Sequence, residues 1–463
     1  MIEFVFYRKD ARTMKRKIYN ELLKWKKENN GEVALLIDGA RRIGKSYIVE
    51  KFAKENYKSY ILIDFNKVGE DVKELFNNYL DNLDMFFMYL SSYYKTELYE
   101  RETLIIFDEV QLFPRARSAI KYLVADGKYD YIETGSLISI KKNVENILIP
   151  SEERHLNMYP MDFEEFLWAN DNTTLMPLIQ KCFEEKKPMG QLMHRKAMDY
   201  FKQYLIVGGM PQAVEKYVKT KNFKEVDLIK RDILNLYQDD IIKYGGEDSV
   251  KVQSIFEEIP SQLQKHEKRF TFNTLQKEAR YREYKDAFFW LQESMIVNNA
   301  FNTTEPNIGL RLNRESSALK CYMGDTGLLI SLAFDEKGLV DEEIYQKILF
   351  NKLAFNEGMI MENIVAQMLV ASGKKLYFYF NYDKENAENN MEIDFLIAKN
   401  KITSRHNVSP IEVKSGKNYT FSSLNKFKKK YKEYLHTSYV LHIDDLKVED
   451  DVIFLPVYMT GLL

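Results

Sequence analysis

The sequence predicts an α/β protein: a doubly wound parallel sheet first, a helical region next, and a mixed α/β domain last. Three observations carry that reading. Residues 33–37 (VALLI), 60–65 (YILIDF) and 103–107 (TLIIF) are short, continuous apolar runs, as strands buried on both faces are, and they alternate with helical sequence. The glycine-rich segment 39–46 (GARRIGKS) follows the first run directly and leads into Ile48, Val49, Phe52 and Ala53 at helical spacing. The last quarter of the chain returns to short strands at 376–380, 391–397 and 410–415.

The chain has 463 residues, too many for one ordinary core, so two to three domains are expected. Lys plus Arg is 67 and Asp plus Glu is 69, a net charge of −2, so any contact with nucleic acid must come from a local patch. Hydrophobic content of 45%, with 31 Tyr and 29 Phe, points to packed cores and not to disorder. Cys182 and Cys321 have no metal-like spacing, which suits a reducing compartment. No apolar run reaches membrane-spanning length, and Glu3 and Arg8 stand where a signal peptide would be apolar, so a cytoplasmic location is expected. Met14 resembles an alternative start, which makes residues 1–14 a leader.

Residues 15–30 read as an amphipathic helix carrying Ile18, Leu22, Leu23 and Trp25. Next, GARRIGKS fits the phosphate-loop pattern G-x-x-x-x-G-K-[ST] in the strand, loop and helix context that pattern requires. Its glycines let backbone N–H groups turn toward phosphate oxygens at a helix start. The expected nucleotide contacts are Gly39, Ala40, Arg41, Arg42, Ile43, Gly44, Lys45, Ser46 and Tyr47. Lys45 reaches the outer phosphates and Ser46 the Mg²⁺ ion.

After the strand at 60–65 and helical sequence to about residue 94, the run 103–109 (TLIIFDE) ends in two carboxylates. Asp108 is expected to hold Mg²⁺ and Glu109 to polarise the attacking water. A strand before this one in sequence resembles the additional-strand, catalytic-glutamate division of P-loop proteins. Residues 129–136 (YDYIETGS) form a fourth strand whose polar end sits where an open parallel sheet binds ligands, so Thr134 or Ser136 is a candidate γ-phosphate sensor. Residues 153–160 make a fifth strand, and Asp162 caps a helix over 161–168. Arg154 is a candidate arginine finger, in cis or across an interface, or a plain surface arginine.

Together GARRIGKS, IIFDEVQ, IETGS and YPMDFEEF resemble an AAA-type ATPase family of bacteria and archaea, from about residue 15 to 170. The resemblance implies ATPase activity with ATP and Mg²⁺. Members usually carry a C-terminal region of unknown function whose end resembles a restriction endonuclease. Two stretches match that region, 204–213 (YLIVGGMPQA) and 320–328 (KCYMGDTGL).

Residues 171–199 are polar and read as a connection. Over 200–335 the pattern is helical, and 272–279 followed by 284–297 resembles a winged helix, with Arg280, Arg282 and Lys285 beside tyrosines as a candidate DNA contact. In the final domain, 336–463, Glu362 lies on an apolar helix, Asp394 on the strand 391–397, and Glu412 and Lys414 two apart on 410–415, facing one way. Carboxylates brought to one edge repel one another unless a divalent cation relieves them. Asp394, Glu412-Val-Lys414 and Glu362 match the PD-(D/E)xK pattern, with Ile393 replacing its proline: Glu362, Asp394 and Glu412 as metal ligands, and Asp394, Glu412 and Lys414 as catalytic groups. Lysines 426, 428, 429 and 430 follow, the local charge a phosphate backbone needs. The expectation is an ATP-hydrolysing protein acting on nucleic acid, with possible Mg²⁺-dependent cleavage. The alternative is an ATP-driven switch whose C-terminal domain only binds a partner protein or DNA. Oligomeric state stays open.

Overall fold

The computed structural model describes residues 14–135, 151–265, 269–307, 309–334, 345, 357–399, 406–416 and 419–463. The apolar runs of the first third pair as five parallel strands: β1 Ala34–Asp38, β2 Ser59–Asp64, β3 Thr103–Asp108, β4 Asp130–Gly135 and β5 Glu153–Asn157, in the order β2-β3-β4-β1-β5. The strand separating β1 from β3 in space is β4, and β2 lies outside β3 at the edge. Alternate residues feed two cores, as a period of two requires. Leu35 and Ile37 face α1 (Ile18–Asn29) and α2 (Lys45–Asn56). Ala34, Leu36 and Phe107 face α3 (Glu70–Asn78), α4 (Leu83–Tyr94) and α5 (Pro114–Asp126).

The first of these cores does not stop at the sheet. It runs through α6 (Phe163–Ala169), α7 (Leu175–Glu185), α8 (Gln191–Val207), α9 (Pro211–Thr220), α10 (Phe223–Tyr244), α11 (Ser249–Gln264) and α12 (Tyr281–Glu293) to residues as late as Met459. Asp162 caps α6 in a capping box with Glu165. The polar connection 171–199 is itself helical: Leu175, Met176 and Ile179 of α7 are buried. Asp445, far along the chain, accepts from the backbone N–H groups of Met189 (3.1 Å) and Gly190 (2.8 Å) and pins it.

The later strands, β6 Val297–Thr303, β7 Arg314–Met323, β8 Tyr377–Asn381, β9 Met391–Ala398, β10 Val408–Val413, β11 Ser438–His442, β12 Lys447–Glu449 and β13 Val452–Pro456, form one mixed sheet in the order β12-β13-β11-β10-β9-β8-β6-β7. It is flanked by α13 (Thr326–Ala333), α14 (Glu357–Ala371) and α15 (Ser422–Tyr431). The sheet crosses residue 335, where a domain boundary is expected from the sequence, because the β6–β7 hairpin pairs with β8. The winged-helix reading is corrected at two points. The helix expected over 272–279 is one 3-10 turn, Phe272–Thr274. Gln262 of α11 ties that segment down, accepting from the Thr271 N–H (2.9 Å) and donating to the Thr274 hydroxyl (2.7 Å). The hairpin after α12 is the edge of a larger sheet, not a free wing.

Candidate functional site

The glycine-rich loop leaves the buried end of β1 and turns into α2 through Gly44, whose φ of +91° is open to glycine at little cost. Gly39 is needed for space: a Cβ there would stand 2.3 Å from Ile43 Cδ1 and 2.5 Å from the Met158 carbonyl oxygen. The backbone path of the loop thus requires glycine at both positions. Lys45 is buried, and its ammonium donates to the loop's own carbonyls at Gly39 (2.8 Å) and Ala40 (3.0 Å). Burial pulls its pKa down, while Glu109, Asp108 and Asp38 push it back up. At the ends of β3 and β4, the Ser46 hydroxyl donates to Asp108 Oδ1 at 2.8 Å, and the Thr134 hydroxyl donates to the same oxygen. Burial raises the pKa of Asp108 and the two hydroxyls oppose the rise. Glu109 follows in a left-handed turn, φ +54°, and accepts from Gln111 Nε2 at 2.5 Å. Lys45, Ser46, Asp108, Glu109 and Thr134 therefore meet around one loop, and the donor set fits a nucleotide with a hard cation. Ser136 lies outside the described residues.

Arg154 is different. It pairs in register with Leu35 on the edge strand, three residues short of the end of β1. At about 3.3 Å per residue that is roughly 10 Å before the loop. A finger in cis does not follow from this register, whereas an exposed edge strand offers Arg154 to a neighbouring molecule.

Sequence reading missed the walls of the site. Helix α10 reaches the loop, where Asp240 pairs with Arg41 (2.5 Å) and the Tyr237 hydroxyl donates to the Arg41 carbonyl (3.1 Å). A cleft of about 420 Å³ lies there, between Lys45, Asp108 and Glu109 on one side and Asp240, Lys243 and Trp290 on the other. On the opposite side of the loop a cleft of about 570 Å³ is bounded by Arg16, Tyr47, Pro211, Gln212 and Glu215. Only the GGMP string signalled that second wall, since Pro211 opens α9 there.

Behind the loop lies a charged network. His155 is shared between Asp38 (Nδ1 to Oδ2, 2.8 Å) and Glu153 (Nε2 to Oε1, 2.8 Å), and Arg117 forks onto Glu153 at 3.1 and 2.8 Å. Hydrogen bonds to the two carboxylates lift the pKa of His155 to about 9. Against the opposing effect of burial, hydrogen bonds from His155 and Arg117 hold Glu153 at about 2. Glu133, next to Thr134, is fully buried, and its burial holds the carboxyl well above the usual range.

The C-terminal acids also meet. The β9–β10 hairpin pairs Phe395 with Ile411, which sets Asp394 beside Glu412, and Asp394 Oδ2 accepts from the Val413 N–H at 2.8 Å. Glu362, Glu392, Asp394, Glu412 and Lys414 line one cleft of about 330 Å³. Lys320, which sequence reading placed in a motif without assigning it chemistry, stands among these acids. The Lys320 ammonium on β7, 1% exposed, stands 2.8 Å from Glu392, 3.8 Å from Glu362 and 3.9 Å from Asp394. Glu412 pairs instead with Lys414 at 2.5 Å. Among the described residues, no three acidic, His or Cys side chains are arranged to hold a metal ion. Burial and the Asp394 charge lift Glu412 to about 7.

The two family stretches meet between these sites. The Asp325 carboxylate accepts from the N–H of Gly209 (2.6 Å) and of Leu328 (2.9 Å). A Cβ on Gly209 would lie 2.2 Å from the Met161 carbonyl oxygen, and one on Gly327 2.5 Å from that of Val207. Asn363 and Gln367 on α14 bond Met323 and Thr326 (2.8 and 2.7 Å), and Gln367 also reaches the Tyr204 hydroxyl (3.1 Å).

Three family profiles match: an AAA domain over residues 32–167, a domain of unknown function (DUF8612) over 198–338, and a domain of unknown function (DUF4143) over 357–459. No curated protein matches. Among solved structures the chain is similar to the Walker-type ATPase PABY2304 of Pyrococcus abyssi, at 15% identity over 69% of this chain and 96% of that one, TM-score 0.39. It is similar also to the ADP form of the Aeropyrum pernix ORC2 protein (13%, 76% and 97%, TM-score 0.27) and to AMPPCP-bound DnaA from Aquifex aeolicus (11%, 61% and 85%, TM-score 0.26). No helix among the described residues is long and apolar enough to cross a membrane. Loop, carboxylate pair, sheet order and profile agree that residues 32–167 are an AAA-type ATPase-like domain.

Proposed function

We propose that the chain is an ATP-hydrolysing switch, in which occupancy of the Gly39–Tyr47 loop is passed to the C-terminal sheet. The observation that carries this is the convergence of Lys45, Ser46, Asp108, Glu109 and Thr134 beneath helices that belong to the following region. Residues 39–47 hold the phosphates; Lys45 leaves the Gly39 and Ala40 carbonyls for the outer phosphates. Ser46 and Asp108 are the residues that would hold Mg²⁺, which when bound neutralises charge developing on the transferred phosphoryl group. Glu109 orients and deprotonates water, Thr134 reports the γ-phosphate, and Arg154 acts on a neighbouring subunit. The Arg41–Asp240 pair lets α10 feel the loop. From α9 the path runs through Gly209, Asp325 and Thr326 to Gln367 on α14, the helix that bears Glu362. The units are an ATPase unit over 15–170, a helical unit over 200–335 and a C-terminal unit over 336–463, with the β6–β7 hairpin shared.

Two variants test the reading. Lys45→Ala should lose nucleotide binding in a fluorescent-ATP titration. Glu109→Gln should bind ATP with turnover reduced about 10²- to 10⁴-fold, the usual worth of a general base. Unchanged turnover in Glu109→Gln would remove it as the base.

A second reading, that the partner is DNA, rests on the exposed Arg280, Arg282 and Lys285 at the start of α12 and the exposed Lys429 and Lys430 on α15. Lys426 and Lys428 are already engaged, with the Ala387 carbonyl and with Asp451. A salt-dependent gel shift weakened by Arg280→Ala/Arg282→Ala would support DNA as the client. Absence of any shift at low salt, with and without ATP, would leave a protein partner.

A further inference from the structure

We infer that the C-terminal carboxylate cleft is built around an internal ammonium in place of a divalent cation, so that it takes up no metal and carries out no metal-dependent cleavage. The acids follow the sequence pattern of a metal-dependent hydrolytic site, yet Lys320 stands among them. Its Nζ lies 2.8 Å from Glu392 Oε1, 3.8 Å from Glu362 Oε2 and 3.9 Å from Asp394 Oδ1. A divalent ion shared by these carboxylates would need the same space, at about 2.0–2.6 Å from each oxygen. Bringing it in would force a buried ammonium against a dication.

The lysine is not able to swing away. It is 1% exposed: Ala300 stands opposite it on β6, the one strand among the described residues that pairs with β7, and the Phe378 ring on β8 lies 5.1 Å from its ammonium. Two further contacts hold the acids in the same arrangement. The Tyr322 hydroxyl, two residues along β7, donates to Glu362 at 3.1 Å, and the Val413 N–H donates to Asp394.

Sequence and structure agree on what this does. Lys320 opens the stretch KCYMGDTGL, whose Asp325 is the acceptor of the junction with Gly209. One segment, the end of β7 and the turn after it, therefore neutralises the cleft and ties it to the helices over the phosphate loop. Removing the charge should leave a metal site behind: three carboxylates around a vacated position form the hard-oxygen set that Mn²⁺ binds.

The test uses nucleotide-free full-length protein. Mn²⁺ titrations followed by electron paramagnetic resonance compare wild type with Asp394→Asn, and thermal melts compare wild type with Lys320→Met in EDTA and in millimolar Mn²⁺. Wild type and Asp394→Asn should bind Mn²⁺ identically, and the wild-type melting temperature should not depend on the metal. Lys320→Met should melt several degrees lower in EDTA and recover in Mn²⁺, and adding Asp394→Asn should abolish the recovery. A wild-type Mn²⁺ site that Asp394→Asn removes would overturn the inference, and so would a Lys320→Met protein that melts as wild type does and ignores the metal. If Lys320→Met does not fold, the wild-type and Asp394→Asn titrations decide alone.

Discussion

His155 sits at the point where the phosphate loop meets the edge of the sheet, and replacing it by Gln should remove a defined part of the pH dependence of stability. The ring bridges Asp38, which immediately precedes Gly39, and Glu153, which Arg117 also holds. Those hydrogen bonds lift its pKa from 6.5 to about 9. At about 1.4 kcal/mol per pH unit the full difference corresponds to about 3.5 kcal/mol. The side chain is 47% exposed, however, and ion pairs in contact with water contribute about 0–1 kcal/mol after screening, so about 1 kcal/mol is expected. A folded-state pKa above the unfolded one makes this contribution complete below pH 6.5, and it is lost as pH rises through about 9. Thermal melts of nucleotide-free wild type and His155→Gln across that window should differ by about 1 °C at the acid end and converge at the alkaline end. Taking the difference between the two proteins cancels the other groups that titrate there. Parallel curves, or a gap that widens with pH, would refute the assignment of a protonated His155 between two carboxylates.

Two further outcomes follow from distances. Gly39→Ala puts a methyl group within 2.5 Å of Ile43 and the Met158 carbonyl, an overpacking of about 1–3 kcal/mol; nucleotide affinity by titration should fall with the melting temperature, and unchanged affinity would mean that the loop has slack. Asp325→Asn leaves one oxygen where two backbone N–H groups now share a carboxylate, a loss of about 1.5–3 kcal/mol. It should leave ATP binding near wild type yet abolish ATP-dependent changes in hydrogen exchange along α14, and exchange that still responds to ATP would break the path drawn through the junction.

The legible parts of this molecule are those where local chemistry and fold demand the same residues. A loop that must cradle phosphate at a helix start needs glycines, Lys45 and Ser46 in one contiguous run, and a strand buried on both faces must be continuously apolar up to Asp108. Both can be read without knowing any contact. The β9–β10 pairing was legible for the same reason: Glu412 and Lys414 share a face by the period of two, and antiparallel pairing of the two strands brings Asp394 beside them. Lys320 was not legible in that role, because its partners lie 42, 72 and 74 residues away and only the sheet order β9-β8-β6-β7 brings them together. Glu392 is a nearer miss, since it stands two residues from Asp394 and the same alternation puts both on one face. The short helix at 272–279 failed for another reason. Its helical pattern is outcompeted by hydrogen bonds to Gln262, a tertiary contact with no local signature.

The two stretches that signalled a family without signalling a chemistry, YLIVGGMPQA and KCYMGDTGL, are best understood through what their glycines exclude. Gly209 abuts the Met161 carbonyl, Gly327 the Val207 carbonyl, and Gly324 the carbonyls of Met295 and Ile296, all closer than a Cβ would permit. Backbone packed on backbone has no side-chain rotamers through which to yield, so displacements at α9 pass on as rigid movements. A nucleotide that pushes Pro211 or pulls Arg41 and α10 therefore acts on the same block that carries Asp325, β7 and α14. Lys320 and Glu362 sit on that block, while Asp394 and Glu412 sit on the neighbouring hairpin. The cleft lies across the seam between them, where a rigid movement would change its width most.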